Sequence, residues 1–210
     1  MKKLTKKGAA TIVLAYTSCA QAIAGNIAKD CSMPLAPGYT GRGFLVNLSD
    51  NPTFTQSGTN PRTITNITLA GASKVAAIDN VFSPQPLNGS NSQSNTDDGM
   101  VKYRKTIVVQ IPLRGSAASK DVVEPLSNNP LGYVAVLEKK DRQGNGSFEV
   151  IGFVEGLHAN EDGIVRNEYE NGGCVTATLS CNEQWFEVVF FDTDYATTLA
   201  AFETLLASSF

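Results

Sequence analysis

Four cysteines and a single histidine are the residues of this 210-residue chain best suited to chemistry, and their spacing limits what they can do. Zinc and redox sites draw on paired Cys or His residues at short spacing. Cys19, Cys31, Cys174 and Cys181 contain no Cys-x-x-Cys pair, and His158 has no second imidazole with which to share a metal. Cys174 and Cys181 bracket one strand-like run and stand an odd number of positions apart, which sets them on opposite faces of a regular strand. A bridge between them would require the chain to double back. Unbridged, partly buried thiols are the expectation, with a disulfide as the alternative.

Nucleophilic catalysis of the Ser-His-Asp or Cys-His type uses partners distant in sequence, so counting residues leaves it open. No nucleophile-elbow motif is present, however, and His158 reads as a surface or loop histidine. The turn Asp141-Arg142-Gln143-Gly144-Asn145-Gly146 has a superficial likeness to a calcium loop. It lacks the spaced carboxylates and closing Glu that a hard cation needs, so a solvated hairpin is expected. Asp97-Asp98 and Glu161-Asp162 read as solvated loop charge. Gly38-Tyr39-Thr40-Gly41-Arg42-Gly43 lacks the Lys-Ser/Thr ending of a phosphate loop, and its glycines suit close backbone packing instead. The expectation is a non-enzyme with no catalytic, cofactor-binding or metal-ligating residues and no cofactor.

The elements that carry these residues are mostly strands. Apolar content of 42% with 18% charge describes a folded chain long enough for one sizeable core. A net charge of −3 and a pI near 5.2 give no basic field, which argues against sequence-specific nucleic-acid binding. Residues 1–30 form a basic, Ala-rich arm or helix in this reading. Lys2, Lys3, Lys6 and Lys7 followed by Ala9–Tyr16 and Ala20-Gln21-Ala22 also imitate a secretory signal over residues 1–22. The apolar part is short and interrupted by Thr11, Tyr16 and Thr17, which favours the arm. No segment reaches the roughly 18–20 apolar residues of a membrane span.

Residues 31–210 read as a single β-rich domain. Strands are expected at Gly43–Leu48, Ile64–Leu69, Lys74–Ile78, Val101–Ile111, Leu131–Glu138, Ser147–Glu155, Gly173–Ser180 and Trp185–Phe191. Along Val101–Ile111, Tyr103, Lys105, Ile107, Val109 and Ile111 share one face. Asp50–Pro61 reads as a loop, Lys139–Gly146 as a hairpin turn and Asn160–Gly163 as a turn. Ser83–Gly99, rich in Ser, Asn, Gln and Gly, has almost nothing to bury and is expected to be a long polar loop. Ser116–Leu126 predicts a short mid-chain helix capped by Ser116 or Ser119 and closed by Pro125. A second helix closes the chain: Asp192 or Thr193 caps it, and Tyr195, Leu199, Phe202 and Leu206 recur on one stripe beside Leu205. That stripe must be buried against a sheet or a neighbouring subunit. Trp185, Phe186, Phe190 and Phe191 crowd the last strand and imply core packing, with a subunit contact for one or two of them as the alternative.

The order of several of these segments is itself informative. Cys31-Ser-Met-Pro-Leu35, Gly43-Phe-Leu-Val-Asn47, Ile64-Thr-Asn-Ile-Thr-Leu69, Phe148-Glu-Val-Ile-Gly152 with Gly156-Leu157, and Phe191-Asp-Thr-Asp-Tyr195 resemble structural virion proteins of tailed phages infecting Bacteroidetes-type bacteria, of the tail-tube-like or tail-ring kind. The resemblance spans roughly Cys31 to the C-terminus. The basic start and the Ser83–Gly99 stretch depart from the pattern. The resemblance implies a β-sandwich or barrel with a helix at its side, repeated in a closed homo-oligomeric ring that is hexameric in such tail tubes. Its partners would be copies of itself and other virion proteins, with DNA passing through the lumen without being held.

A non-enzymatic structural subunit of a phage virion, most simply a tail tube or tail ring component, is therefore the functional expectation. A secreted or surface β-sandwich binding module with a signal at 1–22 is the alternative, as is a capsid decoration or head–tail connector protein. A hydrolase hidden in the sandwich is the third class, with one His and no motif to build a site.

Overall fold

Strand pairing in the computed structural model builds two sheets from residues 38–79, 87–95, 101–112, 119–141, 144–167 and 174–210, the residues the structure describes. The strands are β1 (Tyr39–Asn47), β2 (Thr53–Gln56), β3 (Thr63–Thr68), β4 (Ala76–Asp79), β5 (Leu87–Asn95), β6 (Val101–Pro112), β7 (Tyr133–Lys139), β8 (Phe148–Ile151), β9 (His158–Asn167), β10 (Cys174–Glu183) and β11 (Val188–Phe190). Helix α1 covers Glu124–Asn128 and helix α2 covers Tyr195–Ala207. The large sheet has the order β2-β3-β11-β8-β7-β1-β4 and the small one β5-β6-β10-β9. Pairing is antiparallel except between β11 and β3. Both sheets are open, so the fold is a sandwich rather than a barrel.

The pleat explains the layering. Alternate residues of a strand face opposite sides, so a strand buried on both sides must be apolar throughout. β7 meets that condition from Tyr133 through Leu137, all buried, and ends in the buried but hydrogen-bonded Glu138. Leu45, Tyr133, Ala135, Leu137 and Ile151 of the large sheet pack on Ile107, Val109, Ile111, Val175, Ala177 and Leu179 of the small sheet. The opposite face of the large sheet carries Phe44, Val46, Val134, Val136, Phe148, Val150 and Phe190, and α2 lies on it through Phe202. Three layers result: small sheet, large sheet, helix. Gly43 permits part of this approach, because a Cβ there would sit 2.7 Å from the Val136 carbonyl oxygen on the neighbouring strand.

The helix stripe expected from sequence is covered within the chain. Phe202 is fully buried, and Tyr195, Leu199, Leu205 and Leu206 pack partly buried around the same cluster. The cap is Asp194 rather than Asp192 or Thr193: its extended backbone lets the carboxylate accept the Thr197 N–H at 2.7 Å. That bond holds its carboxyl below the usual aspartate range. Thr198, buried inside the first turn, donates to the Asp194 carbonyl at 2.6 Å and accepts the Asp192 N–H at 3.0 Å.

Several expectations change. Leu87–Asn95 of the expected loop is strand β5, paired residue for residue with β6 from Leu87↔Val109 to Asn95↔Val101. Backbone pairing needs no apolar side chains, and at a sheet edge the polar ones stay in water. The rest of Ser83–Gly99, including Asp97-Asp98, lies outside the described residues. β2 forms inside the Asp50–Pro61 loop because Thr53–Gln56 pairs with β3. Asn160–Gly163 is not a turn but a bulged part of β9, with a register shift opposite Ala177 and Leu179 and Asp162 at φ 57°. β8 and β11 are shorter than expected, leaving Trp185 partly buried and Phe186 55% exposed outside the last strand. A π-type turn at Ser119–Val123 leads into α1, and Pro125 stands in the first turn of α1 instead of closing the helix. Ser116 lies outside the described residues, as do the 1–30 arm, Cys19 and Cys31. β7 and β8 form the expected hairpin. Cys174 and Cys181 are free, buried thiols. Cys181 faces the inter-sheet core on the side of β10 that carries Val175, Ala177 and Leu179.

Candidate functional site

Three charged side chains are buried where the two sheets face each other. Lys105 of β6 and Glu183 of β10 are fully buried, and Glu149 of β8 is 4% exposed. The pleat puts them there. Lys105 alternates with Tyr103 and Ile107, Glu183 follows Cys181 on the inner face of β10, and Glu149 lies between Phe148 and Val150, which face the helix layer. Lys105 Nζ lies 3.7 Å from Glu149 Oε1 across the sheets. Among the described residues neither of these atoms has a hydrogen-bond partner, nor does Glu183 Oε2.

The remaining atoms of the cluster are held. Tyr39 donates its hydroxyl to Glu149 Oε2 at 2.8 Å, and Lys139 Nζ lies 3.6 Å from the same oxygen. Lys139 also pairs with the more exposed Glu187. Burial raises the Tyr39 hydroxyl strongly, and the Glu149 charge adds to it. For Lys139, burial alone would lower the ammonium, but Glu187 and Glu149 outweigh it and the net shift is upward. Glu183 reaches the turn after β8, where the Val154 N–H approaches its Oε1 at 3.5 Å beside the amides of Gly152 and Phe153. Gly152 is required in that turn: its φ is +85°, and a Cβ would sit 2.5 Å from the Tyr133 carbonyl oxygen. Burial raises the Glu183 carboxyl, and Lys105 and the turn amides only partly offset this. Burial, with Glu183 adding to it, pushes the Cys181 thiol up to about 12.

A second buried carboxylate serves the helix layer. Glu138 is 1% exposed, accepts from Thr40 Oγ1 at 2.9 Å and Tyr195 Oη at 3.5 Å, and lies 3.6 Å from Arg42. Arg42 continues to Glu203 on α2 at 3.3 Å and stands 5.8 Å over the Phe202 ring. This chain of contacts fixes α2 to β1 and β7.

An open pocket of 490 Å³ is lined by Arg104, Glu155, Gly156, His158, Ser180, Cys181 and Asn182. Ser180 and His158 are register partners on β10 and β9. They do not form a nucleophile–base pair: Ser180 donates to Asn160 Oδ1, and His158 Nε2 lies 3.4 Å from the Glu155 carbonyl oxygen. Glu155 is paired with Lys102 at 2.7 Å. Among the described residues no group of three His, Cys, Asp or Glu side chains is placed to hold a metal ion. Among the same residues no helix is long and apolar enough to cross a membrane.

The sequence pattern put Lys105 on one face of its strand with Tyr103, Ile107, Val109 and Ile111 but drew no site from it, and it passed over Glu149 and Glu183. The available signal was a charged residue at inward parity in an otherwise apolar register. Compared with models of protein families, with curated proteins and with solved structures, the chain matches none.

Proposed function

We propose that the chain is a non-enzymatic structural subunit of a phage virion, a tail tube or tail ring component that assembles into a closed homo-oligomeric ring. The uneven covering of the two sheets carries this reading. The large sheet is packed on both faces, by the small sheet and by α2. Among the described residues, neither apolar cluster reaches the outer face of the small sheet. Across β9, β10 and β6 that face presents Val165, 51% exposed, with half-buried Thr176, Thr178, Gln110, Val108 and Thr106, an uncharged stretch bordered by Arg104 and Lys102 on β6. Its edges, the nine-residue β5 and the ten-residue β9, offer backbone groups to another strand. A repeated subunit can use a face and two edges of this kind for a heterologous contact that closes into a ring.

Sedimentation velocity of the full chain tests the reading. The expected result is a discrete multi-subunit species that Thr178→Glu, a charge placed within the uncharged stretch of that face, shifts to lower mass without lowering the melting temperature. A wild-type chain that stays monomeric at high concentration overturns it. The surface pocket with Arg104, Glu155 and His158 favours a second reading, a secreted or surface binding module. A monomer that binds a small polar ligand there would support that reading instead.

A further inference from the structure

We propose that Lys105 and Glu149 are the two halves of an intramolecular amide bond, an isopeptide cross-link that ties the small sheet to the large one. The two side chains come from β6 and β8, strands of different sheets, with Nζ and Oε1 3.7 Å apart and neither atom hydrogen-bonded among the described residues. Amide formation needs an uncharged amine, a carboxyl whose oxygen is stabilised as charge builds on it, a proton carrier and the exclusion of water. Each requirement has an occupant. Lys105 is fully buried beside the inter-sheet core of Ile107, Ile151 and Leu179, which keeps water from the reacting atoms. Oε2 of Glu149 already has the Tyr39 hydroxyl at 2.8 Å and the Lys139 ammonium at 3.6 Å, a donor and a cation where the tetrahedral oxyanion would form.

Glu183 is the proton carrier. Lys105 pairs with Cys181 across β6 and β10, and Glu183 follows two positions along on the same inner face with Oε2 unbonded. The step balances without an outside reagent. Nζ attacks Cδ of Glu149 and the C–N bond forms. Glu183 relays two protons in turn from the nitrogen to Oε1, one before the attack to free the amine from its ammonium form and one after it; the Cδ–Oε1 bond breaks, and that oxygen leaves with both protons as one water. Reacting atoms need to approach to about 3–3.5 Å, and Nζ already stands 3.7 Å from the Oε1 that is to leave. The product also replaces a buried cation and a buried anion by a neutral amide, removing the desolvation cost that such a pair carries.

Mass spectrometry of the full chain, digested after unfolding, tests the assignment. The expected result is one branched peptide joining the Lys105 and Glu149 segments, lighter than their sum by one water, with trypsin failing to cut at Lys105. Lys105→Arg should give the two peptides separately, and Glu183→Gln should leave the link absent or incomplete. Separate, unmodified peptides from the folded wild-type chain overturn the proposal, whatever the variants do. A water lost equally from Lys105→Arg moves the modification elsewhere and also overturns it. Full linkage in Glu183→Gln overturns the role given to Glu183.

Discussion

Truncating Phe202 to alanine removes the side chain that anchors α2 to the large sheet. The ring is fully buried, with its centroid 5.2 Å from that of Phe44 and 4.8 Å from that of Phe148. Phe148 extends the cluster to Tyr195 at 5.9 Å and Phe190 at 6.4 Å, so the hole would open at its centre. Phe-to-Ala changes in cores cost about 3–5 kcal/mol, and each aromatic pair contributes about 0.5–1.5 kcal/mol beyond the area it buries. Phe202 loses two such pairs, so the upper part of the range applies, about 4–5 kcal/mol. Each kcal/mol shifts Tm by about 2–4 °C in a domain of this size, giving a fall of roughly 8–20 °C. Urea denaturation followed by fluorescence of Trp185, which packs against the same cluster, measures the free energy directly. The loss should be the same at all protein concentrations, because the helix covers a sheet of its own chain. A loss under about 1 kcal/mol, or one that grows on dilution, would refute the docking described.

Two further predictions concern the buried cluster. Burial raises the Glu183 carboxyl above its ordinary value of 4.5, so the folded chain keeps a proton that the unfolded chain releases. The stability this contributes is present below 4.5 and is lost as pH rises through the folded value. The unfolding free energy of wild type minus that of Glu183→Gln should therefore decline over that window; a flat or rising difference in pH-dependent urea titrations would contradict it. Cys181, with its thiol pushed up to about 12, should stay unalkylated in the native chain at mildly alkaline pH and react once urea is added. Labelling of Cys181 in the native state, read by peptide mapping, would show that the inter-sheet core is open.

The sequence carried the inner strands well and the edges poorly. β6 was legible because Tyr103, Lys105, Ile107, Val109 and Ile111 alternate cleanly, and β7 because Tyr133–Leu137 is an unbroken apolar run. The placement of Cys174 and Cys181 on opposite faces followed from spacing alone. β5 left no such trace: its Ser, Asn and Gln residues are held by backbone pairing to β6, which leaves no hydrophobic pattern. β9 was hidden for a related reason, since the residues that suggest a turn at Asn160–Gly163 are used in a bulge. The cluster of Lys105, Glu149 and Glu183 depends on pairing between strands remote in sequence. Parity could mark each residue as inward, but only the facing of the two sheets brings them together.

Assembly is the central claim, and electron microscopy of the purified full-length chain tests it most directly. The account predicts closed rings of one diameter, six-fold in projection, that stack end to end as concentration rises. A field of uniform particles of single-chain size, unchanged at the highest concentration, would contradict it.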